Sequence, residues 1–562
     1  LTLTPMMCAR ILKPTHGEGA EENRLAAWLD AKFEKWRNAF KARLHSAMDT
    51  RLVILVFGGL MFVFSILLMM NTQGELAPEE DLGFAFSISE TDGYATQEYM
   101  DEYFAEIQKV ALKHPELDHI FTFVIDTSQA FMGMVMKPWA DRETATKNIL
   151  AEMQPDMEKV AGIRWAGLQP PPLPTPGQGY PVEFVLKSTS DPVTMARVGD
   201  EIIQRALAQK KFFYAAPRLR IDRPEAVIEI DRDKAALLGV DMAQLSGDLS
   251  ALLAGGEVNR FSYEDRSYKV IQQVERGDRL NPAQLEGYYT RASNGELIPI
   301  STLVKISSRI VPRSIEHAQQ LNSNTIVAVP RPDVTQGEAL KILEDIAAEV
   351  MPAGFQIDYA GPSRQFKTEG SALLVTFGFA LIIIYLVLAA QFESFRDPLV
   401  ILVTVPMAVC GALLVLNIFA ITNGMQMTAL PGMTLNIYTW VGLITLIGVI
   451  SKHGILIVEF ANKLQERGLS KRDAIEEATS VRLRPVLMTT AALVIGMVPL
   501  LLSSGPGTAA RFSMGLVIAS GMTIGTLFTL YVVPAMYLYI GHDLSKSHAA
   551  GSQPPPVPQL NH

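Results

Sequence analysis

Residues 438–460 read YTWVGLITLIGVISKHGILIVEF, an apolar run with Lys452 and His453 set inside it. At ~1.5 Å per helical residue such a run crosses a bilayer core of ~30 Å. An ammonium at that depth costs at least about 2.5 kcal/mol and is expected to be paired and functional. Lys452 stands eight residues from Phe460, or ~12 Å along the axis, further than its side chain comfortably snorkels. Its helical face carries Thr445 and Glu459, one heptad before and after, while aliphatic residues fill the other faces. The pattern reads as one polar stripe turned toward other helices. A lysine lining a water-filled crevice, or capping neighbouring carbonyls, fits the same pattern. His453 points elsewhere and reads as a packed, hydrogen-bonded neutral imidazole.

Working outward, the chain has 562 residues, 49% of them hydrophobic, and a formal charge of -9. That is too apolar for an ordinary soluble enzyme and too charged for a wholly membrane-embedded chain, so several domains are implied. No basic block suggests a nucleic-acid partner. Cys8 and Cys410 are the two cysteines, which leaves neither a disulfide framework nor a cysteine-based zinc site. No nucleophile–base constellation or phosphate loop supports an enzyme. Residues 1–12, LTLTPMMCARIL, read as the tail of an apolar helix entering a cytoplasmic loop, not as a signal peptide.

Before the central run, residues 21–48 place Leu25, Leu29, Phe33, Trp36, Phe40 and Leu44 at steps of four and three, flanked by Lys32, Arg37 and Arg43. Such a helix suits a membrane surface, with cations toward lipid head groups. Nine Lys or Arg residues lie from Arg10 to Arg51, which puts this end in the cytoplasm. The first span follows at 52–70.

Residues 71–368 form a polar region outside the membrane. Its periodicity gives strand 84–89, helix 97–113, strands 119–125 and 131–137, helix 141–160 and strand 163–166, the βαββαβ order of a ferredoxin-like unit. The proline-rich stretch 169–176 closes it. A second such unit has strand 182–187, helix 192–208 and strand 226–231, then, after an insertion, strand 325–329, helix 335–350 and strand 355–359. The resulting divisions are 71–176, 177–232, the insert 233–312, and 313–368. Within the insert, 268–274 and the turn Ser293-Asn294-Gly295 point to hairpins. Five more spans occupy 369–540, and 541–562 reads as a disordered cytoplasmic tail. The loop 463–484 carries six Lys or Arg residues and 421–437 none, a consistent topology.

Residues 442–462 (GLITLIGVISKHGILIVEFAN) and 482–490 (RLRPVLMTT) resemble the C-terminal half of resistance-nodulation-division (RND) efflux permeases, the hydrophobe- and drug-exporting subclass in particular. The similarity extends to LTLTPMMCAR at the start, LKILEDIAAEV at 340–350 and AGPSRQF at 360–366. It implies a six-span α-helical membrane domain in the bacterial inner membrane. It also implies an α+β periplasmic region of two ferredoxin-like porter subdomains, with the insert as a docking subdomain. The activity implied is proton/drug antiport with no cofactor, the proton gradient supplying the energy. The implied partners are a homotrimer, a periplasmic adaptor, an outer-membrane channel and an N-terminal half carrying two relay aspartates. Lys452 matches the family's relay lysine, Thr489 its relay threonine, and Arg482 an arginine at the foot of the next helix. Thr489 also fits plain helix packing.

The same resemblance places Phe84, Phe86, Phe121, Phe123, Met132, Met134 and Met136 on pocket strands, with Trp165 and Arg220 near the entrance cleft. Aromatic and methionine surfaces re-pack around varied amphiphilic ligands, although each residue also fits ordinary core packing. Segment 126–130 departs from the family's drug exporters, lacking their glycine-rich, phenylalanine-bearing loop. A soft-metal exporter is an alternative, through a thioether set at Met132, Met134 and Met136. Another is a half-chain that packs and docks without transport of its own.

Overall fold

Hydrophobic length sets the membrane part of the fold. The computed structural model describes residues 3, 6, 7, 10, 24–174, 179–424 and 433–543. The expected end of a preceding span at the start, Cys8, and the tail from 544 onward lie outside the described residues. Helix α1 (Arg24–Asp49) precedes the first apolar helix, α2 (Arg51–Asn71). Part of the α1 stripe packs on the protein itself: Leu44 and Met48 are buried, and Phe40 stacks edge-on to Tyr531. Trp28 and Trp36 face outward.

The first extramembrane unit is β1 (Phe84–Glu90), α3 (Gln97–Ala111), β2 (Leu117–Asp126), β3 (Gln129–Met136), α4 (Thr146–Met157) and β4 (Arg164–Leu168). Its antiparallel sheet runs β2-β3-β1-β4, the order of a split βαβ unit. Thr96 caps α3 by accepting from the Tyr99 N–H.

The second unit opens with β5 (Val182–Ser188), α5 (Pro192–Ala208) and β6 (Phe212–Pro217). Here the structure corrects the sequence reading. The strand expected at 226–231 lies in β7 (Ile221–Ile230), which leaves the sheet; β6, not expected, takes its place. The apolar run 212–217 is only six residues long and begins soon after a helix, too short for periodicity to separate from a loop. The insert then holds α6 (Arg232–Leu237), α7 (Met242–Leu249) and the hairpin of β8 (Glu257–Tyr263) and β9 (Arg266–Ile271). A second hairpin, β10 (Tyr289–Arg291) and β11 (Leu297–Pro299), turns at Ser293-Asn294-Gly295, with Gly295 at φ 90°. The return strand β12 (Val304–Pro312) pairs with β7, so the insert stands on a two-stranded stem.

The chain re-enters the second sheet through β13 (Glu316–Ala318) and β14 (Leu321–Pro330), followed by α8 (Gln336–Val350) and β15 (Gln356–Tyr359). Pairings of β6 with β14, β14 with β5, and β5 with β15 repeat the strand order of the first unit. Each sheet is covered on one face by its helices.

The remaining membrane helices are α9 (Gly361–Phe392), α10 (Asp397–Leu402) continued by α11 (Thr404–Gly424), α12 (Ile437–Glu466), α13 (Lys471–Leu501) and α14 (Thr508–Ile540). With α2 they make six candidate spans among the described residues. An aspartate begins one of them: Asp397 is buried at the foot of α10, bonded by the Asn462 amide at 3.1 Å.

Residues 73–76 form a strap between α2 and the first unit. The Leu435 N–H donates to the Gln73 carbonyl (2.8 Å), Glu75 N–H to the Leu435 carbonyl (3.2 Å), and Ile437 N–H to the Leu76 carbonyl (3.1 Å). On its other side the Gly337 N–H, at the start of α8, donates to the Gly74 carbonyl (3.3 Å). A Cβ on Gly337 would lie 2.6 Å from that oxygen, so the approach requires glycine.

Helix α14 is the hub against which α11, α12 and α13 pack, and small residues permit it. Gly454 and Gly521 pack inside this bundle, against Ile401 and Leu446 respectively, whereas nothing lies within 4 Å of Gly448 or Gly496. A Cβ at Gly525 would meet the Ala408 backbone at 2.8 Å. Gly525→Ala is therefore expected to destabilise the bundle by about 1–3 kcal/mol. Gly448→Ala should leave the thermal unfolding midpoint of the detergent-solubilised chain unchanged. Differential scanning measurements on both variants check this pair of outcomes.

Candidate functional site

Three groups of residues converge on candidate chemistry. The first is the polar face of α12. Its N-terminus is fixed by Asn436, whose side chain accepts from the Tyr438 and Thr439 N–H groups. Thr445, Lys452 and Glu459 fall on one exposed face. Glu459 pairs with Lys463 at 2.6 Å, while Lys452 forms no hydrogen bond or ion pair with any described residue. On the buried side His453 is 1% exposed. Its Nε2 lies 3.3 Å from Thr489 Oγ1, so the threonine meets the histidine and not the lysine. Arg482 stacks on Phe460 at 4.5 Å, with its Nε buried and without a hydrogen-bond partner.

The second group is the open face of the first sheet. Strand β1 is inverted in character: Ala85, Ser87 and Ser89 point into the helix-covered core, and Phe84, Phe86 and Ile88 point away from it. Phe121 and Phe123 of β2 share that open face and stay 47% and 52% exposed. Phe131 of β3 joins them, its ring centroid 5.7 Å from Phe86, 6.0 Å from Phe121 and 4.9 Å from Phe123. Phe84 and Phe121 stack at 6.2 Å. Phe121 lies over Gly133, where a Cβ would sit 2.2 Å from the ring. The five rings form one contiguous, partly exposed aromatic patch, which makes this face a candidate binding surface. Phe131 was readable in the sequence, since the alternation that groups Met132, Met134 and Met136 puts it on the other face.

The methionines require a correction. Met132, Met134 and Met136 are buried among Met100, Phe104 and Ile107 of α3 and Ile149 and Met153 of α4. They form the core under the sheet and do not line its open face. The helices cross on their side because both βαβ connections pack onto the same face of the sheet.

The third group lies where the two units meet. Arg220 is not open to a ligand: its Nη2 pairs with Glu90 Oε2 at 2.7 Å, both side chains nearly buried. The Tyr214 hydroxyl donates to the same carboxylate at 3.1 Å. Beside this, Arg313 pairs with Asp222 and donates to the Thr91 carbonyl, and the Gly93 N–H donates to Asp222. These bonds clamp the end of β1 to the second unit. The Arg313 guanidinium holds the Asp222 carboxyl below the usual range despite its burial.

Below the clamp a cavity of about 130 Å³ opens between α4, β4, the prolines of 170–172 and β6. Trp165 lines it, with its indole N–H buried and unpartnered. Phe213 and Tyr214 supply the opposite wall, and Glu75, Glu79 and Lys147 one end. Lys147 pairs with Glu79 at 3.0 Å, and that carboxylate raises the lysine's affinity for its proton against the opposing effect of burial. Burial pushes the Glu75 carboxyl up to about 7, against the Thr434 hydroxyl that bonds it and the nearby Lys147 ammonium. Neither Glu75 nor Lys147 stood out in the sequence, because neither belongs to a motif and only the strap brings Glu75 to the cavity.

The sequence matches the AcrB/AcrD/AcrF family over residues 1–541. It is 37% identical over 550 residues to an uncharacterized transporter of Haemophilus influenzae, covering 97% of this chain and 52% of that protein. Identity is 28% to the toluene efflux pump membrane transporter TtgB of Pseudomonas putida and 27% to the multidrug export protein AcrF of Escherichia coli. Each of these alignments covers 96% of this chain and 52% of the relative. The chain thus spans about half the length of the curated relatives it matches.

Glu75 gives this site a pH dependence with a definite sign. Its carboxyl binds a proton more tightly folded, at about 7, than at the ordinary value of 4.5. Its contribution to stability is full below 4.5 and is lost as pH rises through 7. Glu75→Gln should remove that dependence. Thermal unfolding of both proteins from pH 4.5 to 8 is expected to show the wild type losing stability relative to the variant as pH rises. Parallel curves would place the proton elsewhere.

Proposed function

The chain belongs to the AcrB/AcrD/AcrF family of RND efflux transporters, multi-pass proteins of the inner membrane, and from that premise we propose that it exports drugs or other amphiphilic compounds using the proton gradient. In this reading the two sheet-bearing units are porter subdomains, and the insert on the β7–β12 stem is a docking subdomain. The partners are further copies in a trimer, a periplasmic adaptor and an outer-membrane channel. The two relay aspartates of this reading stand on a helix of an N-terminal half.

The observation that carries the reading is Lys452, a cation on the exposed face of an apolar helix with no counter-charge among the described residues. An ammonium there holds facing carboxylates ionised. Their protonation weakens the pairing and lets the helices shift, so that pKa coupling drives the cycle. Thr489 and Arg482 lie on the neighbouring helix of the same bundle.

Cargo of this class meets the phenylalanine face and the cavity lined by Trp165. The relatives' names mention toluene and multiple drugs. Flat aromatic surfaces suit such apolar ligands because they offer area without demanding a hydrogen-bond pattern. The soft-metal reading loses its support, since the three sulfurs it needs sit in the core beneath α3 and α4.

Lys452→Ala in the complete transporter is expected to lower drug resistance to the level of cells lacking it, with expression and assembly unchanged. Minimum inhibitory concentrations alongside membrane immunoblots check this. Undiminished resistance would remove the relay reading and favour a chain that packs and docks without carrying protons.

A further inference from the structure

The lysine stripe leaves one titratable group of α12 unexplained. His453 projects about 100° around the helix from Lys452 and is buried among α12, α13 and α14. Its Nε2 is 3.3 Å from Thr489 Oγ1 on α13, and its Nδ1 is 3.4 Å from Thr526 Oγ1 on α14. Thr526 Oγ1 is in turn 3.1 Å from Thr490 Oγ1. Both Thr489 and Thr490 can donate to the Val486 carbonyl, at 3.0 and 2.9 Å. One turn along α14, the Thr529 hydroxyl is buried without a hydrogen-bond partner. The result is a chain, Thr489–His453–Thr526–Thr490, that crosses three apolar helices.

Packing alone does not call for this arrangement. A neutral imidazole carries one N–H and one lone-pair nitrogen, so the chain has two complete settings. In the first, Nε2–H donates to Thr489, whose proton goes to the Val486 carbonyl, and Thr526 donates to Nδ1. In the second, Nδ1–H donates to Thr526, which donates to Thr490, and Thr489 donates to Nε2. Passage from the first to the second takes one transported proton in at Thr490, whose own proton moves to Thr526 as that of Thr526 moves to Nδ1, while the Nε2 proton moves to Thr489 and the former Thr489 proton leaves; the ring's charge is unchanged and its tautomer reversed. The species between them is the imidazolium, with both nitrogens donating to threonine oxygens.

That cation would form beside Lys452 in the same helix. The ring is otherwise faced by threonine hydroxyls from α13 and α14, and Ile401 of α10 packs at the adjacent Gly454. No described carboxylate hydrogen-bonds or ion-pairs with it. Two like charges this close in a poorly screened interior oppose each other. We propose that His453 passes protons between the hydroxyls of α13 and α14, and that the charge at Lys452 decides when the ring can accept one. This rests on the proton-driven reading above and adds to it a second proton-handling residue on the lysine helix.

The test has two arms. In the first, the whole chain in lipid nanodiscs carries ring-15N histidine, and the His453 resonance is identified by its loss in His453→Gln. Replacing the ammonium by an isosteric neutral group, Lys452→Met, should raise the midpoint of the imidazole titration by about one pH unit; an unmoved midpoint overturns the coupling. The second arm measures proton-driven efflux by the complete transporter across external pH, for wild type, His453→Gln and His453→Asn. Both amides preserve hydrogen bonding but cannot carry the charge. The expected result is a kcat at least tenfold lower with KM unchanged and a flattened pH profile. A wild-type kcat and profile in the amide variants would make His453 a packing residue only. If the wild type itself shows no gradient-dependent efflux, the transport reading fails, while the resonance arm still decides the coupling.

Discussion

An ammonium on an apolar helix has to be answered by charge or water, and the membrane domain is arranged around that requirement. Lys452 receives no counter-charge from its own helix: Thr445 on its face donates to the Val441 carbonyl, and Glu459 is engaged with Lys463. Leaving such a group uncompensated at membrane depth costs more than most single packing interactions return. The exposed side of α12, with Gly448 and Lys452 on it, therefore has the character of an interior surface. The opposite side is finished, with Gly454 packed on Ile401, Leu446 on Gly521 of α14, and His453 held among hydroxyls.

A comparable division runs through the extramembrane region. The first sheet has one face covered by α3 and α4 and one face of five phenylalanines, and the covered face is the less aromatic of the two. Burying Ser87 and Ser89 while leaving Phe121 and Phe123 half exposed is the reverse of what stability favours. The buried pairing of Arg220 with Glu90 likewise returns little net stability, its desolvation cost being of the same order as its attraction. What these features share is location, in the first sheet and at its seam with the second unit.

Much of this was legible in the sequence. The six apolar helices follow from hydrophobic length, and the βαββαβ order, its repetition and the lysine stripe from periods of 3.6 and 2, all of which depend on local residues alone. The failures have a common cause as well. Alternation told Met132 from Phe131 but not which face the helices would cover, because that depends on where α3 and α4 cross. The stretch 226–231 reads as extended chain and 226–230 is so in β7, yet its partner is β12 and not β14. Resemblance puts Arg220 near an entrance cleft, but Glu90, which neutralises it, is 130 residues away. The Glu75–Thr434 contact spans 359 residues. Pairings at such separations leave no local trace.

The strap at 73–76 fixes a mechanical relation between the two halves of the molecule. It is bonded on one edge to the segment that caps α12 and on the other to the first turn of α8. Glu80, just beyond it, accepts from the Ala509 and Ala510 N–H groups at the start of α14. The outer ends of the lysine helix and of the hub helix are thus tied to the strap and its flank, the first by backbone bonds and the second through the Glu80 carboxylate. An axial displacement of α12 would draw on the strap, whose Glu75 and Leu76 line the same cavity as Trp165. The geometry is that of a pushrod with its far end inside the chamber.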